Sequence, residues 1–127
     1  MKDCIFCKII SKEIPNDKII YEDEHALAFL DIDPLNVGHT LLVPKKHFET
    51  IDEMSPEEFS KLSSAITQVS KGISKLSDGL NLLQNNKKIA GQVIPHVHFH
   101  LVPRYRRDGH RPEWIRKHDI SEEQSKE

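Results

Sequence analysis

The run His96-Val97-His98-Phe99-His100 sets three imidazoles at alternate positions with apolar residues between them. In an extended strand successive side chains point to opposite faces, so His96, His98 and His100 share one face while Val97, Phe99 and Leu101 share the other. The three rings form a ledge at ~7 Å intervals, and the apolar face anchors it in a core. A neutral imidazole, with an ordinary pKa near ~6.5, is a nucleophile at neutral pH, and a second histidine supplies or takes the proton. Covalent catalysis then divides one hard displacement into two easier ones. The central His98 is the first candidate for that role. Two other readings stay open: a solvated strand face rich in histidine, which strict alternation with apolar partners argues against, and a metal site built from histidines two apart.

A second constellation is Cys4-x-x-Cys7, which holds both cysteines of the chain. Two thiolates at this spacing suit a four-coordinate metal or redox chemistry, and a disulfide framework is not expected. A metal needs two further ligands that spacing does not identify. The alternative is a pair of reduced thiols.

These groups need elements to hold them. Ile19-Ile20-Tyr21-Glu22, the polar break Asp23-Glu24 and His25-Ala26-Leu27-Ala28-Phe29-Leu30 read as a hairpin. The turn formers of Asp33-Pro34-Leu35-Asn36-Val37-Gly38 precede a third strand over residues 39–43, which Pro44 ends. Ser55-Pro56-Glu57-Glu58 combines an N-cap serine, a proline at the first helical position and a glutamate three residues after the cap. The apolar stripe Phe59, Leu62, Ile66, Val69, Ile73 and Leu76 continues that helix as core packing, with Asp78-Gly79 as its expected stop. Residues 80–84 predict a fourth strand, 85–92 a polar loop able to present N–H groups to an anion, and 96–102 a fifth strand closed by Pro103. One strong helical pattern among five strands predicts an α+β domain with an antiparallel sheet, and a doubly wound parallel sheet is disfavoured.

The 127 residues, 37% of them apolar, suffice for one core, assigned to residues 1–105, with a polar tail over 106–127 that is expected to be partly disordered. Eighteen basic against 20 acidic residues give a net charge of −2, so neither nucleic acid nor an anionic membrane is an expected partner. Met1-Lys2-Asp3-Cys4 carries no signal-peptide core, and no apolar run approaches the ~20 residues that span a bilayer, so a cytoplasmic location is expected. His25, His110, His118 and Trp114 are assigned no role.

His96-Val97-His98-Phe99-His100-Leu101-Val102 resembles the signature of the histidine triad (HIT) family. Cys4-Ile5-Phe6-Cys7-Lys8-Ile9-Ile10, Glu13-Ile14-Pro15, Ala28-Phe29-Leu30-Asp31-Ile32, Gly38-His39-Thr40, Pro44-Lys45-Lys46-His47 and Ala90-Gly91-Gln92 are similar, in order and spacing, to the Hint-like branch. The resemblance spans residues 4–104. It implies a homodimer whose antiparallel sheet continues between subunits, and attack on the α-phosphorus of a purine nucleotide by His98, through a nucleotidyl-histidine resolved by water. His100 then serves the phosphate and leaving group, and His39 lies beside the triad. Asp31 binds the ribose; Ile5, Phe6, Ile9, Phe29 and Leu41, with Ile32 next to Asp31, hold the base; Asn85, Gly91 and Gln92 meet the phosphate. Bacterial members imply a structural zinc on Cys4, Cys7, His47 and His96, and no organic cofactor.

Two departures stand out: Val93 where serine or threonine often follows the Gly-Gln pair, and Lys87 where glycine often follows the first asparagine. The leading reading is a nucleoside phosphoramidase. Its rivals are a dinucleoside polyphosphate hydrolase, suggested by Pro103-Arg104, and a nucleotide-binding interaction protein or zinc-stabilised binding module.

Overall fold

Alternation along the histidine segment divides the sheet it joins into two faces with different partners. The computed structural model describes residues 3–109: helix α1 (Ile5–Ile10), strands β1 (Ile19–Glu22), β2 (Ala26–Leu30) and β3 (Thr40–Pro44), helix α2 (Pro56–Ser74), and strands β4 (Gly79–Gln84) and β5 (Phe99–Arg104). The strands form one sheet in the order β1-β2-β3-β5-β4, antiparallel throughout. This is the α+β architecture with five strands and one long helix that the sequence predicts.

Phe29 pairs with Leu41 and Leu41 with His100, so these three share a face, while Ala28, Leu42 and Phe99 share the other. Against the second face α2 packs Leu62, Ala65, Ile66 and Val69, joined by Val97 and Leu101. Each large side chain buried there stabilises the fold by about 1.5–3 kcal/mol. Against the first face α1 packs Phe6 and Ile9, over Leu27, Phe29, Leu41 and Val43. The histidine ledge therefore lies under α1, away from the long helix.

The third strand runs Thr40–Pro44 rather than over residues 39–43, with Pro44 inside the ladder opposite Ala26, and other boundaries differ from the sequence expectation for local reasons. The α2 helix stops at Ser74, not at Asp78-Gly79, because Leu76 N–H and the Ser77 hydroxyl both turn back to the Ile73 carbonyl; Leu76 leaves the stripe 83% exposed, and Gly79 opens β4. The fifth strand begins at Phe99, so His96 and His98 precede its ladder in an irregular segment whose Val97 N–H donates to the Phe48 carbonyl. It also runs through Pro103: that residue's carbonyl faces the 33–38 loop, where it accepts from Asn36, so the absent N–H removes no bond to β4. His25 lies in the turn before β2, where Asp23 accepts its N–H and that of Ala26.

The α1 helix carries no sequence assignment, being six residues long and capped by a cysteine whose Sγ accepts the Cys7 N–H at 3.4 Å. Residues 106–109 close a turn onto β5; the rest of the assigned tail, with His110, Trp114 and His118, lies outside the described residues.

The Ser55 hydroxyl accepts the Glu58 N–H at 3.1 Å while the Glu58 carboxylate accepts the Ser55 N–H at 3.0 Å, completing the expected capping box. Ser55→Ala should lower stability by about 1 kcal/mol, read as an earlier urea midpoint at unchanged slope. An unchanged midpoint would remove the box from the stability of α2.

Candidate active site

The proton positions of three imidazoles follow from their partners. His98 Nδ1 lies 2.7 Å from the His96 carbonyl, so it must carry the hydrogen, which leaves the lone pair on Nε2. His39 Nδ1 lies 3.1 Å from the Leu35 N–H and accepts from it, so the neutral ring carries its hydrogen on Nε2. That Nε2–H donates to His100 Nδ1 at 3.0 Å, which places the His100 hydrogen on its own Nε2. The site thus offers one imidazole lone pair, on His98, beside one committed N–H donor, on His100; the two rings are 5.0 Å apart.

Burial keeps these rings neutral. His98 and His39 are 5% and 3% exposed, and burial pulls both below the ordinary histidine pKa, against the opposing pull of Asp31 and, for His98, of the hydrogen bond to His96. Burial, followed by the neighbouring His98 and His39, lowers His100 to about 4. Asp31 Oδ2 stands 3.6 Å from His39 Nε2, beyond hydrogen-bond range but near enough to favour the protonated form.

His96 faces elsewhere. Its Nε2–H donates to the Pro44 carbonyl at 2.9 Å, so its lone pair sits on Nδ1, among Cys4 Sγ at 3.3 Å, Cys7 Sγ at 3.6 Å and His47 Nδ1 at 3.1 Å. His47 Nδ1 is 3.2 Å from Cys7 Sγ. The four donor atoms all lie within 4.8 Å of one another, close enough to hold a metal ion. Tetrahedral bonds of ~2.1 Å to nitrogen and ~2.3 Å to sulfur set their ligands about 3.3–3.8 Å apart, near the spacing seen. Burial and the adjacent Cys4 raise the Cys7 thiol to about 11, so a thiolate at Cys7 needs a cation's charge beside it.

Asp31, His39 and His100 also bring their donor atoms within 4.8 Å of one another. That trio does not fit a metal: with Leu35 N–H on Nδ1, His39 could ligate through Nε2 only as an imidazolate. Within it, His39 and His100 are hydrogen-bonded to each other, and Asp31 stands beside them as a charge.

The remaining candidate residues divide by position. Phe6, Ile9, Phe29 and Leu41 are buried together beneath α1, with the Phe6 ring edge-on to His98 at 5.2 Å and to Phe29 at 5.7 Å. Ile5 and Ile32 are 44% and 90% exposed. Asn85 follows the last paired residue of β4, Gln84, and its side-chain amide turns to the Gly91 carbonyl at 3.5 Å. The Gly91 and Gln92 N–H groups, expected to face an anion, instead donate to the Lys88 and Lys87 carbonyls. The buried Gln92 amide clamps the loop, accepting the Lys87 N–H and donating to the Glu49 carbonyl, both at 2.7 Å. Val93 is 83% exposed.

A profile of the HIT domain matches residues 11–107. The chain belongs to the HIT family. An uncharacterised HIT-like protein of Methanocaldococcus jannaschii is 54% identical over 107 residues, 84% of this chain and 82% of that one. The adenosine 5'-monophosphoramidase of Schizosaccharomyces pombe is 43% identical over 101 residues, 80% of this chain and 74% of that one. A crystal structure of a HIT family protein from Bacillus subtilis superposes with a TM-score of 0.82 at 39% identity, covering 98% of this chain and 94% of that one.

Within this HIT domain, sequence reasoning missed three groups that set proton positions: the Leu35 N–H, the Pro44 carbonyl and the His96 carbonyl. All are main-chain atoms, for which side-chain type is no signal. A pH dependence follows from the lowered histidines. A histidine whose folded pKa lies below its unfolded ~6.5 favours the fold while neutral, so its contribution is complete above ~6.5 and is lost as pH falls toward the folded value. For His100 that window runs from ~6.5 down to about 4. The melting temperature should be level from pH 8 to 7 and fall between pH 6.5 and 4; a level curve through that window would show that His100 is not buried as a neutral ring.

Proposed function

We propose that this HIT protein hydrolyses purine nucleotide conjugates at the α-phosphorus, with a nucleoside phosphoramidate as the substrate type, through a nucleotidyl intermediate on His98. The observation that carries this reading is the single lone pair at His98 Nε2, in a ring whose other nitrogen is fixed on the His96 carbonyl at 2.7 Å. Attack from Nε2 forms the phosphorus–nitrogen bond to His98 as the bond to the leaving amine breaks, and the amine takes its proton from solvent. Water then attacks the same phosphorus, the bond to Nε2 breaks and the water gives up a proton to solvent, which releases the monophosphate and returns His98 neutral. The His100 Nε2–H donates to a phosphoryl oxygen as charge builds there, and His39 holds that donor in place. In this reading Asp31 accepts from the ribose, the apolar group Phe6, Ile9, Phe29 and Leu41 beneath α1, with the exposed Ile5 and Ile32, serves the base, and Asn85 serves the phosphate. The S. pombe relative is named for this class of reaction.

The rival cleavage of dinucleoside polyphosphates has less support: Arg104, which suggested it, is engaged with Asp108 and with Asn81. Turnover of adenosine 5'-phosphoramidate and of a diadenosine polyphosphate, measured side by side, decides between them. We expect clear preference for the phosphoramidate, and preference for the polyphosphate would overturn the assignment.

The Cys2His2 donor set is that of a structural zinc, held by Cys4, Cys7, His47 and His96, closed to substrate and supplying cross-linking rather than catalysis. We also read the active form as a homodimer joined at the outer edge of the sheet, where β4 leaves Leu82 48% exposed.

A further inference from the structure

The turn former Asn36 does more than turn the chain. Its side-chain amide donates to the Pro103 carbonyl at 3.0 Å and to Asp108 Oδ2 at 2.8 Å, while its own carbonyl accepts the His39 N–H at 3.1 Å. Asp108 is itself fixed: its carboxylate accepts from Arg104 Nε and Nη2, both at 3.0 Å, and from the Tyr105 N–H at 2.9 Å, and its side chain is 10% exposed. The Tyr105 hydroxyl donates to the Val37 carbonyl at 2.7 Å. The end of β5 thus grips the 33–38 loop at two successive residues. The residue before Asn36 is Leu35, whose N–H sits on His39 Nδ1.

We infer that Asn36 is a positioning residue: held by Asp108 and Pro103, it keeps the Leu35 N–H on His39 and so fixes the hydrogen of His100 on Nε2. This rests on the proposed role of His100 as a phosphate donor. The two neutral tautomers of an imidazole differ only in which nitrogen carries hydrogen, so the partner at one nitrogen decides the other. With the loop released, His39 Nδ1 is free to take the hydrogen, and its Nε2 then meets His100 Nδ1 as one lone pair against another. Relief comes when His100 moves its hydrogen to Nδ1. Its Nε2 would then turn a lone pair, not a donor, toward an anionic oxygen.

The test is long-range proton–nitrogen correlation NMR of the histidine rings together with steady-state kinetics, on wild type, Asn36→Ala and, as a control in the same loop, Val37→Ala, whose native side chain is 80% exposed. In the wild type His39 and His100 should appear as Nε2–H tautomers and His98 as Nδ1–H. In Asn36→Ala, His39 and His100 should show mixed tautomers with His98 unchanged, and kcat should fall about tenfold with KM within about twofold. Val37→Ala should match the wild type in both. Wild-type tautomers at His39 and His100 in Asn36→Ala would overturn the inference whatever the rate, as would shifted tautomers with an unchanged kcat. An Nδ1–H tautomer at His39 in the wild type overturns it without any variant, which covers the case in which Asn36→Ala does not fold. Absence of wild-type turnover would defeat the functional reading alone, since the ring spectra need no substrate.

Discussion

His98→Asn should lower the turnover of a nucleoside phosphoramidate by about 10⁴-fold or more, with nucleotide affinity and melting temperature close to wild type. Asparagine is the informative replacement because its amide nitrogen takes the place of Nδ1 and can still donate to the His96 carbonyl, which His98 reaches at 2.7 Å. What it lacks is the lone pair beyond. His98→Ala should lose turnover equally but be less stable, because the ring packs against Phe6 at 5.2 Å and His100 at 5.0 Å and is 5% exposed. Substantial turnover by the asparagine variant, after checking for contaminating wild type, would remove His98 as the nucleophile. Mass spectrometry of quenched wild-type reactions should find the nucleotidyl adduct on the peptide containing His98.

The second large effect concerns the four-donor cluster. Wild-type protein purified without chelators should contain about one zinc per chain, and Cys4→Ser should contain far less. If the ion is present at about 1,000 times its dissociation constant, its loss removes roughly 4 kcal/mol, a fall in melting temperature of roughly 15 °C for a domain of this size. His98→Asn, two residues from His96, should keep its zinc. A metal-free wild type, or a Cys4→Ser protein as stable as wild type, would leave Cys4, Cys7, His47 and His96 as a thiol and imidazole cluster that needs no ion.

Much of the sheet was legible because strands have a period of two, and the triad states that period in the residue types themselves. Its consequence, that Val97, Phe99 and Leu101 enter one core while the histidines face another layer, holds even where the ladder has not begun. The capping box was legible because all its parts lie within four residues. Less accessible was the division of labour inside the triad. His96 and His98 are alike in sequence, and geometry separates them only because Cys4, 92 residues away, comes to 3.3 Å from His96. Family resemblance supplied that pairing; spacing alone left it open. The α1 helix was illegible because six residues are too few for periodicity to emerge, and the loop N–H groups at Gly91 and Gln92 were misjudged because Gly-Gln gives no sign that they close a short 3-10 turn.

A helix of six residues does not hold itself together in water, since isolated helices below about 12–15 residues are marginal. The α1 helix is fastened at its first turn by Cys4 and Cys7 and along its side by Phe6 and Ile9, and Phe6 touches both His96 and His98. The α1 helix, roof of the proposed base site, is therefore fastened in part by the Cys4 and Cys7 end of the four-donor cluster. A chelated protein should behave as an enzyme with its nucleophile present and its roof ajar: weaker nucleotide capture first, slower chemistry second.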